Sequence, residues 1–231
     1  MLTKLRPFIH TFLKEASSMF EMYVYTMGER SYALEMVKLL DPRRVYFSSR
    51  VISKADCTQR HQKGLDMVLG AESAVVILDD TEDDLVTEAT IGSSRVWSKH
   101  RENLILMERY HFFSSSCRQF RIFAESLSEL NRDECKSEGA LASVLKVLKG
   151  IHEKFFDQQE LGANLSGRDV RQVIKMVLLL FTVDQNIIKV NNQKSTNERT
   201  QYLSKSVGTL VRPMGMILVW KVVFLSSLGC M

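Results

Sequence analysis

The sequence predicts an α/β protein built on a parallel sheet, and three observations carry that prediction. Helical and extended patterns alternate over residues 7 to 80, as they do when helices cross over between parallel strands. AVVIL at 74 to 78 is an aliphatic run without polar alternation, expected of a strand covered on both faces, and it stops on Asp79 and Asp80. Beyond residue 100 the pattern becomes that of amphipathic helices, an extension added to the sheet.

Each element follows in order. Pro7 suits the first turn of a helix, and Phe8, Phe12, Leu13, Ala16 and Phe20 recur at helical spacing up to EMYVYT, which reads as a strand. Gly28 turns the chain into ERSYALEMVKLL, whose Ala33, Leu34, Val37 and Leu40 mark a second helix ended by Asp41 and Pro42. RVYFSSRVIS reads as one or two short strands, KADCTQRHQ as a polar loop, and KGLDMVLG as a short helix before the AVVIL strand. Further on, Leu141, Leu145, Leu148, Ile151 and Phe155 share one side of a long helix, and GRDVRQVIKMVLLLF begins another. From about Asn186 the chain turns polar and then ends in MGMILVWKVVFLSSL; this last section shows no coherent period and reads as a tail outside any domain. The expected division is a partial α/β domain over 1–125, a helical extension over 126–182 and a tail over 183–231.

Composition narrows the classes. Across 231 residues the chain is 45% hydrophobic and 25% charged, the balance of a globular protein, and a net charge of +4 is too mild to imply direct nucleic-acid binding. Cys57, Cys117, Cys135 and Cys230 form no CxxC pair, so neither a zinc knuckle nor a disulfide framework is expected. MLTKLRPFIH lacks the apolar core of a secretory signal, and Lys221 interrupts the hydrophobic tail below membrane-spanning length, so no membrane association is expected.

Two adjacent carboxylates at a strand end repel one another unless a cation lies between them, and their hard oxygens suit Mg2+. An Asp-rich turn would explain the same residues. Four features accompany the pair: LRP at 5–7, YTMG at 25–28, LLDPRR at 39–44, and the lysine of QKGLD at 62–66. In this order, and with the longer segments TQRHQKGLDMVLG, VILDDTE and NLILMERYHFFSSSCRQF, the chain resembles the plant-type RNA polymerase II C-terminal-domain phosphatase-like proteins of the haloacid dehalogenase superfamily.

That resemblance implies a Rossmann-like sheet and a Mg2+-dependent aspartyl-phosphate phosphatase. It would act in the nucleus on phosphoserine in the heptad-repeat tail of RNA polymerase II. It implies that Thr26 bonds a phosphoryl oxygen, that Lys63 neutralises the phosphate, and that Asp79 and Asp80 hold the metal. It also places Arg6 and Asp41 near the substrate, where an Arg/Asp pair would orient it. Trp97 and the methionines read as core, and no histidine pairs with a nucleophile.

The chain departs from the family in three places. No DxDxT occurs in it, so the nucleophile and its acid/base partner are absent and the chain alone is expected to be catalytically defective. The alternative function is a non-catalytic phosphate- or partner-binding fragment. DLVTEATIGSSR, residues 84–95, is inserted before Val96 and Trp97, and MVLLLFTVDQN stands where the family's BRCT domain should follow. Together these departures read as an altered transcript or gene model. In the superfamily the DxDxT strand lies between the strands ending here at Thr26 and Asp79, so a sheet lacking its central strand, with two open edges, is expected.

Overall fold

The computed structural model describes residues 2–58, 63–80, 97–119, 123–157, 168–191, 215–221 and 225–228. Its centre is a five-stranded parallel sheet made by β2 (Phe20–Tyr25), β3 (Val51–Ile52), β4 (Val75–Asp79), β5 (Leu104–Leu106) and β6 (Met216–Lys221), in the order β3-β2-β6-β4-β5. A second sheet pairs β1 (Leu2–Leu5) antiparallel with β7 (Leu225–Leu228).

The tail is the principal correction to the sequence reading. MILVWK, expected to lie outside any domain, forms the middle strand: Phe20 to Tyr25 pair with Met216 to Lys221, and Val75 to Leu78 pair with Ile217 to Trp220. The gap expected between β2 and β4 is therefore filled, and neither strand has an open ladder facing it. The physical reason is composition. Met216, Ile217, Leu218, Val219 and Trp220 are all buried, which only a strand covered on both faces achieves.

Side-chain alternation divides the core between the two faces. Met22 and Val24, Val76 and Leu78, and Met216, Leu218 and Trp220 point to the face covered by α1 (Ile9–Ser17), α2 (Arg30–Leu40), α4 (Ala140–Phe156) and α5 (Val170–Asn191). Tyr23 and Tyr25, Val75 and Ile77, and Ile217 and Val219 point to the other, where Leu65, Val68 and Trp97 cover them. Leu148, Ile151 and Val173 of the helical extension share one core with Phe12 and Leu218, so the extension packs directly on the sheet. A short α3 (Ser114–Gln119) follows β5.

Two smaller readings change. KGLDMVLG is not a helix but a series of turns from Lys63 to Gly70, which lays Leu65 and Val68 on the sheet. RVYFSSRVIS yields only the two-residue β3, because the Asp41 carboxylate takes the amides of Val45 (2.8 Å), Tyr46 (2.7 Å) and Phe47 (2.9 Å) and removes them from any ladder. The first helix begins at Ile9, with Phe8 in a left-handed conformation at φ 70° after Pro7. The 84–95 insertion lies outside the described residues.

Candidate functional site

All five strands of the larger sheet run in the same direction, so their C-terminal ends form one rim, the place where open parallel sheets bind ligands. β2 delivers Thr26 to that rim, β4 delivers Asp79 and Asp80, and β6 brings Lys221, in register with Tyr25. Gly28 lets the chain turn sharply after β2. A Cβ there would lie 2.9 Å from the Tyr32 ring and 3.3 Å from the Thr26 hydroxyl, and the Gly28 amide donates to that hydroxyl oxygen at 3.0 Å.

Lys63 and Asp79 form the centre of the site. The Lys63 ammonium donates to Asp79 Oδ2 at 2.8 Å, the Trp97 indole N–H donates to the same oxygen at 2.7 Å, and the Lys63 and Asp79 side chains are both 0% exposed. The ammonium also lies 5.0 Å from the Trp97 ring centre and 5.4 Å from that of Tyr25, two rings that meet edge to face at 5.3 Å. The Asp79 carboxylate and the two aromatic faces thus help to offset the loss of water around this buried cation. The Tyr25 hydroxyl accepts the Gly64 amide at 3.3 Å, anchoring the segment that carries Lys63. Burial, assisted by the Cys57 thiol, holds that phenol well above its ordinary pKa, so it remains neutral.

Asp80 is buried beside Arg109, whose Nε donates to the Asp80 carbonyl at 3.1 Å and stands 3.9 Å from its carboxylate. Two cations therefore face two carboxylates at this end of β4. Consecutive carboxylates at a strand end are hard oxygen donors, and they fit a Mg2+ ion completed by water. Such an ion would share Asp79 with Lys63 and Trp97, which makes the fit that of a weak site. Among the described residues no cluster of three or more acidic, histidine or cysteine side chains adds to this pair.

Arg6 and Asp41 do not meet. Arg6, 1% exposed, forms a two-pronged ion pair with Glu134, Nε at 2.8 Å and Nη2 at 2.5 Å, while Nη1 donates to the Glu108 carbonyl at 2.7 Å. The Tyr110 ring packs over the guanidinium at 5.4 Å. Tyr110 in turn donates to Asp133 at 2.8 Å, and Lys4 pairs with Asp133 at 2.9 Å. Burial pushes the Asp133 carboxyl upward, but the bonds from Lys4 and Tyr110 outweigh it and leave the group below its ordinary range. Asp41 instead sits in the connection that enters β3, away from the rim, with its carboxylate committed to three backbone amides. The expected Arg/Asp pair is replaced by Arg6 with Glu134, a partner whose sequence position gave no signal.

Trp97, read from sequence as core, is both core and a donor to Asp79. Nothing in the sequence distinguished the two roles, because the indole N–H acts only once the fold brings residue 97 to the end of β4.

Residues 1–137 match the NLI interacting factor-like phosphatase family. The chain belongs to that family. Within it, the chain is 59% identical over 177 residues to Arabidopsis thaliana RNA polymerase II C-terminal domain phosphatase-like 4, covering 77% of this chain and 37% of that protein. It is 42% identical over 206 residues to phosphatase-like 3 of the same organism, covering 84% of this chain and 15% of that one. Among solved structures it resembles Fcp1, an essential RNA polymerase II CTD phosphatase, with a TM-score of 0.55 and 26% identity over 74% of this chain and 54% of that one. The NLI interacting factor-like phosphatase assignment thus agrees with the parallel sheet and flanking helices. The chain spans only 37% and 15% of the lengths of these two plant relatives.

Proposed function

We propose that this chain recognises phosphoserine in the heptad-repeat tail of RNA polymerase II, in the nucleus, and holds it without hydrolysis. The observation that carries this reading is the identity of the central strand. β6 occupies the slot between β2 and β4 and ends on Lys221, and residues 216–231 contain no aspartate or glutamate. A covalent phosphoaspartate route needs a carboxylate at that strand end. A carboxylate-bearing strand from anywhere else would first have to displace β6.

Binding uses what the rim retains. Thr26 offers a hydroxyl to a phosphoryl oxygen. Lys63 leaves Asp79 to neutralise the phosphate, and Mg2+ held by Asp79 and Asp80 would supply the compensating positive charge. Arg6, fixed by Glu134, shapes the adjacent wall. The relatives named above are RNA polymerase II C-terminal domain phosphatases or phosphatase-like proteins, which supports the choice of substrate tail. Among the described residues no helix is long and apolar enough to cross a membrane, and the composition gives no reason to expect nucleic-acid binding.

The test is a phosphoserine heptad peptide offered to the full chain with and without Mg2+. Binding by fluorescence anisotropy should strengthen with Mg2+ and weaken at least tenfold in Lys63→Met, with no phosphate released above a buffer control. Mg2+-dependent release that disappears in Asp79→Asn would overturn the non-hydrolytic reading. Equal binding by wild type and Lys63→Met would overturn the phosphate role.

A further inference from the structure

We infer that Arg109 sets the metal affinity of the rim: its guanidinium is a resident cation beside Asp80, and a divalent ion on that carboxylate must share it with Arg109. The inference rests on the reading of Asp79 and Asp80 as the pair that holds the metal. Arg109 belongs to none of the short motifs that single out the site in the sequence, and its role comes from where the backbone puts it.

Past the end of β5, the Met107 amide donates to the Asp79 carbonyl at 3.0 Å, so the chain keeps running alongside β4 and brings residues 107–109 level with the acidic pair. The positions around Arg109 are then pinned. The Glu108 carbonyl accepts Arg6 Nη1 at 2.7 Å, and Tyr110 donates to Asp133 at 2.8 Å while its ring covers the Arg6 guanidinium at 5.4 Å. Met107 and Tyr110 are themselves buried. A side chain carried on backbone held this closely keeps one position, which is what a precise charge requires. The pair of Arg6 with Glu134 thereby gains a use away from Asp41: it fixes the strip from which Arg109 reaches Asp80.

The Arg109 side chain is 18% exposed and that of Asp80 is 2% exposed. Nε donates to the Asp80 carbonyl at 3.1 Å and stands 3.9 Å from Oδ2. These two contacts do different things. The bond to the carbonyl fixes the guanidinium in place, and the longer approach lets Nε act on the carboxylate through its charge, which is screened little in so buried a setting. A guanidinium stays protonated at any working pH, so this charge cannot be shed to make room for another cation. Arg109 therefore steadies the Asp80 carboxylate in the metal-free protein and repels a second cation that shares it. The cation concerned is a hard divalent ion suited to carboxylate oxygens, a class that includes both Mg2+ and Mn2+.

Mn2+ is the probe, because the free ion is counted directly by its electron paramagnetic resonance signal and added Mg2+ displaces it from a shared site. Arg109→Gln and Arg109→Met remove the charge and should bind Mn2+ about five- to tenfold more tightly than the wild type, whereas Arg109→Lys keeps the charge and should stay within about twofold. Thermal melts of the same samples check that each is folded. A purely structural role predicts the reverse, with all three variants binding more weakly. Neutral variants that bind no more tightly than a wild type that does bind overturn the inference and leave the metal reading standing. An Arg109→Lys that follows the neutral variants also overturns it, by tracing the effect to the lost carbonyl bond. Absence of Mn2+ binding in the wild type and in every variant overturns both the inference and the metal reading.

Discussion

Replacing Trp220 by alanine should destabilise the protein by about 3–5 kcal/mol, a large share of the roughly 5–15 kcal/mol that holds a typical domain together. Trp220 is 1% exposed and is the largest of the fully buried side chains. Its ring meets Phe12 edge to face at 5.1 Å and Phe47 at 6.1 Å, so it joins the central strand to α1 and to the turn organised by Asp41. Leu218→Asp should be more severe, because it places an unpaired carboxylate at a site with no access to water, between two strands that both depend on β6. Phe123→Ala provides the control, since that ring is fully exposed and its loss should be nearly silent. Chemical denaturation measures all three. If Trp220→Ala unfolds within about 1 kcal/mol of wild type, β6 does not occupy the middle of the sheet in solution.

The second large effect concerns the pair at the rim. Lys63→Met should cost about 3–5 kcal/mol, since it removes the ammonium that donates at 2.8 Å to a fully buried carboxylate. Asp79→Leu should cost as much, by removing the carboxylate that accepts from the buried ammonium at 2.8 Å. The double variant Lys63→Met/Asp79→Leu removes both charges and should recover most of the loss, because buried ion pairs are often matched by apolar residues of similar size. Recovery should stop about 1–3 kcal/mol short of wild type, since the Trp97 indole N–H loses its acceptor. A double-mutant cycle isolates the coupling, and a value below about 0.5 kcal/mol would mean that the two groups do not touch.

Much of this fold was legible because periodicity was informative where elements have one wet face. α1, α2 and α4 each bury one side, and their apolar residues repeat at helical spacing that the sequence displays directly. β4 was legible for another reason: its aliphatics end abruptly on Asp79 and Asp80, a boundary that makes sense only at a strand end. MILVWK has neither aid. A strand buried on both faces has no period, and this one follows a long polar tract and carries a lysine, so it is indistinguishable from a stray hydrophobic tail until its neighbours are known. Lys63 and Asp79 were found through a motif, and the structure brings them within 2.8 Å. Trp97, Arg109 and Glu134 were missed as participants because their roles arise from tertiary approach across the chain, which no local pattern encodes.

The position of β6 also bears on how the molecule is made. Phe20 pairs with Met216 across almost the whole length of the sequence, so the middle of the sheet comes off the ribosome after nearly everything that packs around it. Until then β2 and β4 have no strand between them, and the nascent chain presents two sticky edges. The sheet can therefore close only after the segment around residue 216 has been made. A product halted before residue 216 cannot close its sheet and is exposed to chaperones and proteases, whereas one that reaches β7 draws its first strand and its late strands together through β1.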